Sequence, residues 1–203
     1  ARGDDISKIK RYCLQYLPNL RREDIPTIDT DTEKLQRGFY HPATGRVLIP
    51  RCLRDDFDAD PAEFCRAALA CEIEITADDF PSFCYPENGY NAEEPDENLL
   101  LSPILAANYR CMFKGPTAGQ SSMSSRPRTK SGGRPPLSKS YRLQEVTPET
   151  IAYTASQWNE DDDTFIGREF YDNILTLFLD DAWKAKTLAW WNKYIIYFCF
   201  VAY

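Results

Sequence analysis

The chain has 203 residues, 43% of them hydrophobic and 27% charged, with a formal net charge of −7. Those values are ordinary for a soluble globular protein and leave enough apolar side chain for the core of one domain, 1–203. Residues 1–20 hold no signal-type apolar run, and the longest one, Tyr194–Tyr203, falls far short of the ~20 residues that span a bilayer. An intracellular protein, nuclear or cytoplasmic and without membrane contact, is the expectation.

The elements follow in chain order. Ile6, Ile9, Cys13, Tyr16 and Leu17 recur at helical spacing, so a short amphipathic helix is predicted up to Pro18, then a polar connector over 18–36. From Gly38 to Pro50 a Pro–Gly turn lies between apolar runs, which predicts a short β-hairpin near Phe39–Ile49. Asp60-Pro61-Ala62-Glu63 is a helix start with a capping box, and Phe64, Ala67, Ala68 and Cys71 make its buried stripe. Residues 73–98 are irregular and acidic, with Phe80, Phe83 and Tyr85 as anchors. Ser102 and Pro103 open a helix that Gly115 ends.

Residues 116–142 are rich in Ser, Gly, Pro and basic side chains, and they predict an exposed, mobile loop within the domain. Beyond it, Thr147-Pro148-Glu149 starts a helix ending near Trp158. A further helix over Phe165–Leu179 follows the acidic flank Glu160–Asp163, and a last one begins around Asp181. The fold class is mainly α: one helical domain with five principal helices, a short β-hairpin and a mobile basic loop. The short link at Asp180-Asp181 predicts that the last two helices pack as an antiparallel pair.

Several blocks carry a resemblance. They are Arg37-Gly38-Phe39-Tyr40-His41-Pro42 with Thr44-Gly45, Phe80-Pro81-Ser82-Phe83, Leu99 to Pro116, Val146 to Gln157, and Phe170 to Lys193 with its Trp190-Trp191-Asn192-Lys193 run. In this order they resemble an uncharacterised domain-of-unknown-function family abundant in mushroom-forming (basidiomycete) fungi. The resemblance implies an intracellular fungal protein and carries over no catalytic residue. Two departures stand out: Gln157 runs almost at once into the acidic Asn159–Asp163 turn, and the tail Tyr197–Tyr203 has no counterpart in the family.

Charge is segregated along the chain. From Asp55 to Glu97 a long series of acids is opposed by Arg66 alone. From Lys114 to Arg142 the charges are Lys114, Arg126, Arg128, Lys130, Arg134, Lys139 and Arg142, with no acid among them. This asymmetry predicts two electrostatic partners or one intramolecular pairing. Lys130-Ser131-Gly132-Gly133-Arg134-Pro135-Pro136 has a Gly-Arg-Pro core like that of minor-groove hooks, in which an extended backbone carries arginine into a narrow A·T groove. Arg126, Arg128, Lys130, Arg134, Lys139 and Arg142 are therefore the candidate nucleic-acid-binding residues, with weak contact expected. A solvated linker, or a strap over the protein's own acidic surface, is the rival reading.

Trp190 and Trp191 are the candidate partner-binding residues. Being adjacent, they lie ~100° apart on a helix and cannot both face one core stripe. One is expected in the core and the other at an edge or partner surface.

Signs of enzyme chemistry are few. His41 is the single histidine, and no residue beside it in sequence points to a catalytic partner. Asp55–Asp60 resembles a calcium loop but lacks the central glycine and closing glutamate. The seven cysteines form no C-x-x-C pair and are expected to be reduced thiols. Phosphate-cradling and dinucleotide motifs and the nucleophile elbow are missing from the sequence. No cofactor, metal or catalytic residue is expected. The function expected is a non-enzymatic binding or adaptor role toward an unknown protein partner, with weak nucleic-acid contact through the basic loop. The alternatives are an enzyme built around His41 and carboxylates, and a homo-oligomerisation module using the C-terminal aromatics.

Overall fold

One helix organises the chain. In the computed structural model, which describes residues 12–20, 25–29, 31–115, 118, 145–157 and 167–197, helix α4 (Pro103–Lys114) is buried continuously from Ile104 to Phe113. Its start is local chemistry: the Ser102 hydroxyl accepts from the Leu105 N–H at 3.4 Å, and Pro103 fills a first-turn position that needs no donor. Gly115, at φ +113°, ends it in a backbone conformation that side-chain-bearing residues rarely adopt. A helix apolar on every side must be enclosed. Around α4 lie Cys13–Leu20, Ser82–Cys84, helix α5 (Pro148–Ser156) and the π-helical turn Lys193–Tyr197.

The main core gathers α4, α5, helix α6 (Gly167–Leu177) and helix α7 (Asp181–Asn192), with Phe83 to Tyr85 and Leu99-Leu100 filling between them. Thr147 and Thr150 cap α5 reciprocally, and Asp180 caps α7 by accepting from Ala182 and Trp183. The expected antiparallel packing of α6 on α7 is not what forms. α6 packs chiefly on α5, and meets the start of α7 through the Phe178–Trp183 ring contact, centroids 5.0 Å apart. α7 instead lies along the backbone of 96–100, as its hydrogen bonds below make plain.

A second, smaller core joins helices α1 (Pro42–Leu48), α2 (Arg54–Ala59) and α3 (Pro61–Leu69) through Ile49, Phe57, Phe64 and Cys65. Val47, one turn along α1, belongs to the main core, so α1 faces both.

The β-hairpin expected near Phe39–Ile49 is overturned. Gly38–Tyr40 is a 3₁₀ turn, 42–48 is helix α1, and the described residues contain no strand, only an isolated bridge between Pro50 and Pro81. Pro42 stands at the first turn of a helix whose N-cap is His41, with the ring Nδ1 accepting from the Ala43 N–H at 3.1 Å. Gly45 is a packing glycine, not a turn glycine. A Cβ there would meet the Cys65 Sγ at 3.0 Å and the Phe39 and Phe57 rings at 3.4 Å, so its lack of a side chain is what lets α1 approach α3.

At the N-terminal side, residues 1–11 of the expected first helix lie outside the described residues. The rest, Cys13–Leu20, is 3₁₀-helical and continues through Pro18, with Leu14 and Leu17 buried at the three-residue spacing of that helix. The expected mobile loop, 116–142, also lies outside the described residues, apart from Ala118.

Candidate functional site

Helix α7 is fastened to the acidic segment before α4 by three side chains on one face. Trp183 Nε1 donates to the Asp96 carbonyl at 2.8 Å, Lys186 Nζ to that of Glu97 at 3.1 Å, and Trp191 Nε1 to that of Leu100 at 3.0 Å. Trp191 is fully buried and tilted against the Tyr109 ring of α4, centroids 5.3 Å apart. Trp190 sits at the rim. Its indole meets Trp191 edge-on and stacks on Tyr194 at 4.7 Å, with the two planes only 11° apart.

The Tyr194 ring also carries a cation. The Arg110 guanidinium of α4 lies over it at 5.2 Å, although Arg110 is only 6% exposed. The Arg110 Nε is buried without a hydrogen-bond partner, and among the described residues no carboxylate pairs with this side chain. Burying an ion is costly unless it is paired, and a cation–π contact returns about 0.5–2 kcal/mol of that cost.

Next to this stack two residues that flank the basic segment in sequence are held. Lys114, one turn beyond Arg110, donates from Nζ to the Ile195 carbonyl at 2.9 Å. At the far end, the Val146 N–H donates to the Asn192 Oδ1 at 3.1 Å. Lys114 and Val146 thus both meet the C-terminal end of α7 and the turn after it.

A second charged cluster links α1 and α2 to the 86–89 turn. Arg46 grips Asp58 through Nε at 2.8 Å and Nη2 at 3.0 Å, and donates from Nη1 to Glu87 at 2.8 Å. Arg54 shares the same Glu87 oxygen at 2.9 Å and donates from Nη1 to the Arg46 carbonyl at 3.1 Å. Burial works against both cations. In Arg46 the hydrogen bonds it donates to Asp58 and Glu87 outweigh it and the pKa rises; in Arg54 burial, reinforced by the neighbouring Arg46, lowers it to about 10 despite Glu87. This is a tie between elements: its cations are met by Asp58 and Glu87.

Residues 1–196 match the family of unknown function DUF6698. The chain belongs to that family. No curated protein and no solved structure matches it.

Each residue singled out by sequence has a place in this DUF6698 fold or falls outside the described residues. Arg126, Arg128, Lys130, Arg134, Lys139 and Arg142 fall outside, as does the acidic run Glu160–Asp163. Trp190 and Trp191 are brought together, with opposite burial. His41 is the cap of α1, and burial lowers its pKa. The calcium-like run dissolves into separate roles: Phe57 is core, Asp58 pairs with Arg46, and Asp60 caps α3 by accepting from the Glu63 N–H at 3.0 Å. Glu63 does not complete a capping box; Arg66 holds its carboxylate.

The described cysteines are free thiols, and burial pushes the Cys65 thiol up to about 11. No described cluster of His, Cys, Asp or Glu could hold a metal, and no described helix is long and apolar enough to cross a membrane. Sequence reasoning missed Arg110 and the Arg46–Arg54 tie. The signal for Arg110 was available: a lone cation within the apolar run Ile104–Phe113.

Proposed function

We propose that this chain is an intracellular, non-enzymatic binding protein of fungal origin, whose basic segment 116–142 makes weak, salt-sensitive contact with nucleic acid. The observation that supports the reading is that the two residues flanking that segment are held close together, Lys114 on Ile195 and Val146 on Asn192. The segment itself has six arginines and lysines and no acid. Its cations would replace condensed counterions on the phosphates. The net charge of −7 opposes any polyanion and keeps the affinity low.

Trp190, half-buried at the rim, is the surface for a protein partner in an adaptor role; Trp191 is committed to the core. The enzyme reading loses support because the His41 Nδ1 is engaged by the Ala43 N–H as a helix cap.

Fluorescence anisotropy on labelled duplexes tests the proposal. Arg134→Ala is expected to weaken binding more on A·T-rich than on G·C-rich DNA. Equal losses would reduce Arg134 to a phosphate contact, and no binding at low salt would end the nucleic-acid reading.

A further inference from the structure

We infer that helices α1–α3 form a flap that opens by local unfolding while the main core stays closed, and that Glu87 is its latch. The inference stands apart from the nucleic-acid contact proposed above. Proteins open locally in contiguous cooperative units, and the units that open first bury little apolar surface of their own. The small core has five buried hydrophobic side chains, Ile25, Ile49, Phe57, Phe64 and Cys65, against twenty-three in the main core among the described residues. Its three helices run consecutively from Pro42 to Leu69, so they can unfold without drawing out a helix of the main core.

The unit meets the main body along α1 and the residues just after it. Val47 reaches the main core, where α1 packs on Ser82–Cys84. Beside that contact the Ser82 N–H donates to the Ile49 carbonyl at 2.8 Å, and the Arg51 N–H to that of Phe80 at 3.0 Å. The pairing stays a single bridge because Pro50 and Pro81, which form it, have no N–H to extend it. Beyond the bridge comes the ionic tie, in which one Glu87 carboxylate oxygen accepts from both Arg46 and Arg54. Glu87 belongs to the main body. Its turn follows buried Tyr85, and the Asn98 Nδ2 holds the Gly89 carbonyl at 2.8 Å.

The latch can be released from solution. The Arg46 and Arg54 side chains are closed off, whereas that of Glu87 is 37% exposed, the most accessible member of the cluster. With the Glu87 charge removed, the two guanidiniums repel one another and share Asp58. A buried ion that loses its partner is strongly destabilising, and opening the flap rehydrates both cations. It also uncovers Phe83, an apolar surface that α1 otherwise closes.

Native-state amide exchange on the full chain tests this with the wild type, Glu87→Gln and Ile174→Val. In the wild type the interior amides of α1, α2 and α3 are expected to share one opening constant, at least about tenfold above that of α4. Glu87→Gln should raise the α1–α3 constant about tenfold to a hundredfold, the size expected for lost hydrogen bonds to charged groups. Ile174 is fully buried in the main core, which stays folded in the open state. Ile174→Val should therefore raise exchange in α4 about two- to tenfold and leave that of α1–α3 unchanged. One constant common to α1–α3 and α4, or acceleration of both by Ile174→Val, means that the chain opens as a whole and overturns the inference. Unrelated constants in α1, α2 and α3 overturn the unit, and exchange in Glu87→Gln equal to wild type overturns the latch.

Discussion

The indole N–H of Trp191 donates to the carbonyl of Leu100 at 3.0 Å, across 91 residues of sequence, and both side chains are fully buried. Leu100 is there in the left-handed region, at φ +64°. That conformation costs a non-glycine residue roughly 1–2 kcal/mol. It turns the carbonyl toward the tryptophan that satisfies it, so the bond joins the entrance of α4 to the end of α7. The C-terminal helix is thereby part of the core.

The tryptophan pair should separate cleanly. Trp191→Ala removes a fully buried side chain and leaves the Leu100 carbonyl without its donor, so a loss of about 3–5 kcal/mol is expected. Trp190→Ala removes a rim stack on Tyr194 and should cost much less. Urea denaturation of both variants measures the difference. Equal losses would mean that Trp191 does not hold the core as described.

The single histidine should titrate low. Burial moves the His41 pKa below its ordinary 6.5, and acceptance from the Ala43 N–H requires a ring nitrogen without a proton. The folded ring thus gains its proton at lower pH than the unfolded one. Its contribution to stability is complete above about pH 6.5 and declines as pH falls from there toward the folded value. His41→Asn, which keeps a capping side chain, should lose this dependence. Because there is one histidine, its imidazole resonance can be followed without overlap. A midpoint above 6.5 would contradict the cap.

Helix α3 ends with an unusual residue. The Glu72 N–H donates to the Ala67 carbonyl at 2.9 Å and the Cys71 N–H to that of Ala68 at 3.1 Å, the pattern of a Schellman motif. Its left-handed position, where glycine is the usual choice, is taken by exposed Cys71 at φ +55°. Cys71→Gly relieves that strain and should stabilise by about 0.5–1 kcal/mol, or roughly 1–4 °C in melting temperature. A lower melting temperature by calorimetry would contradict this geometry.

What the sequence discloses and what it hides divide along the range of the interaction. Ser102-Pro103 with Gly115, Asp60-Pro61, and Thr147-Pro148 mark the helix ends because capping acts within three or four residues. Gly45 misled because its reason for being glycine is Cys65 on another helix, so a Pro–Gly pair that suggests a turn belongs to a helix. The Arg46–Glu87 contact spans 41 residues and leaves no periodic trace. The adjacency of Trp190 and Trp191, ~100° apart on a helix, implies that they do not share one core stripe. Which one is buried depends on Tyr109 and Leu100, and those contacts are tertiary.

The proposed function is tested most directly by the salt dependence of oligonucleotide binding. The affinity of the full chain should fall linearly on a log–log plot against salt, with a slope of about −3 or steeper if four or more phosphates are met. Changing Arg126, Arg128, Lys130 and Arg134 to Gln should flatten that slope while leaving the melting temperature unchanged. A slope that stays the same in the variant, or no binding by the wild type at low salt, would contradict the account.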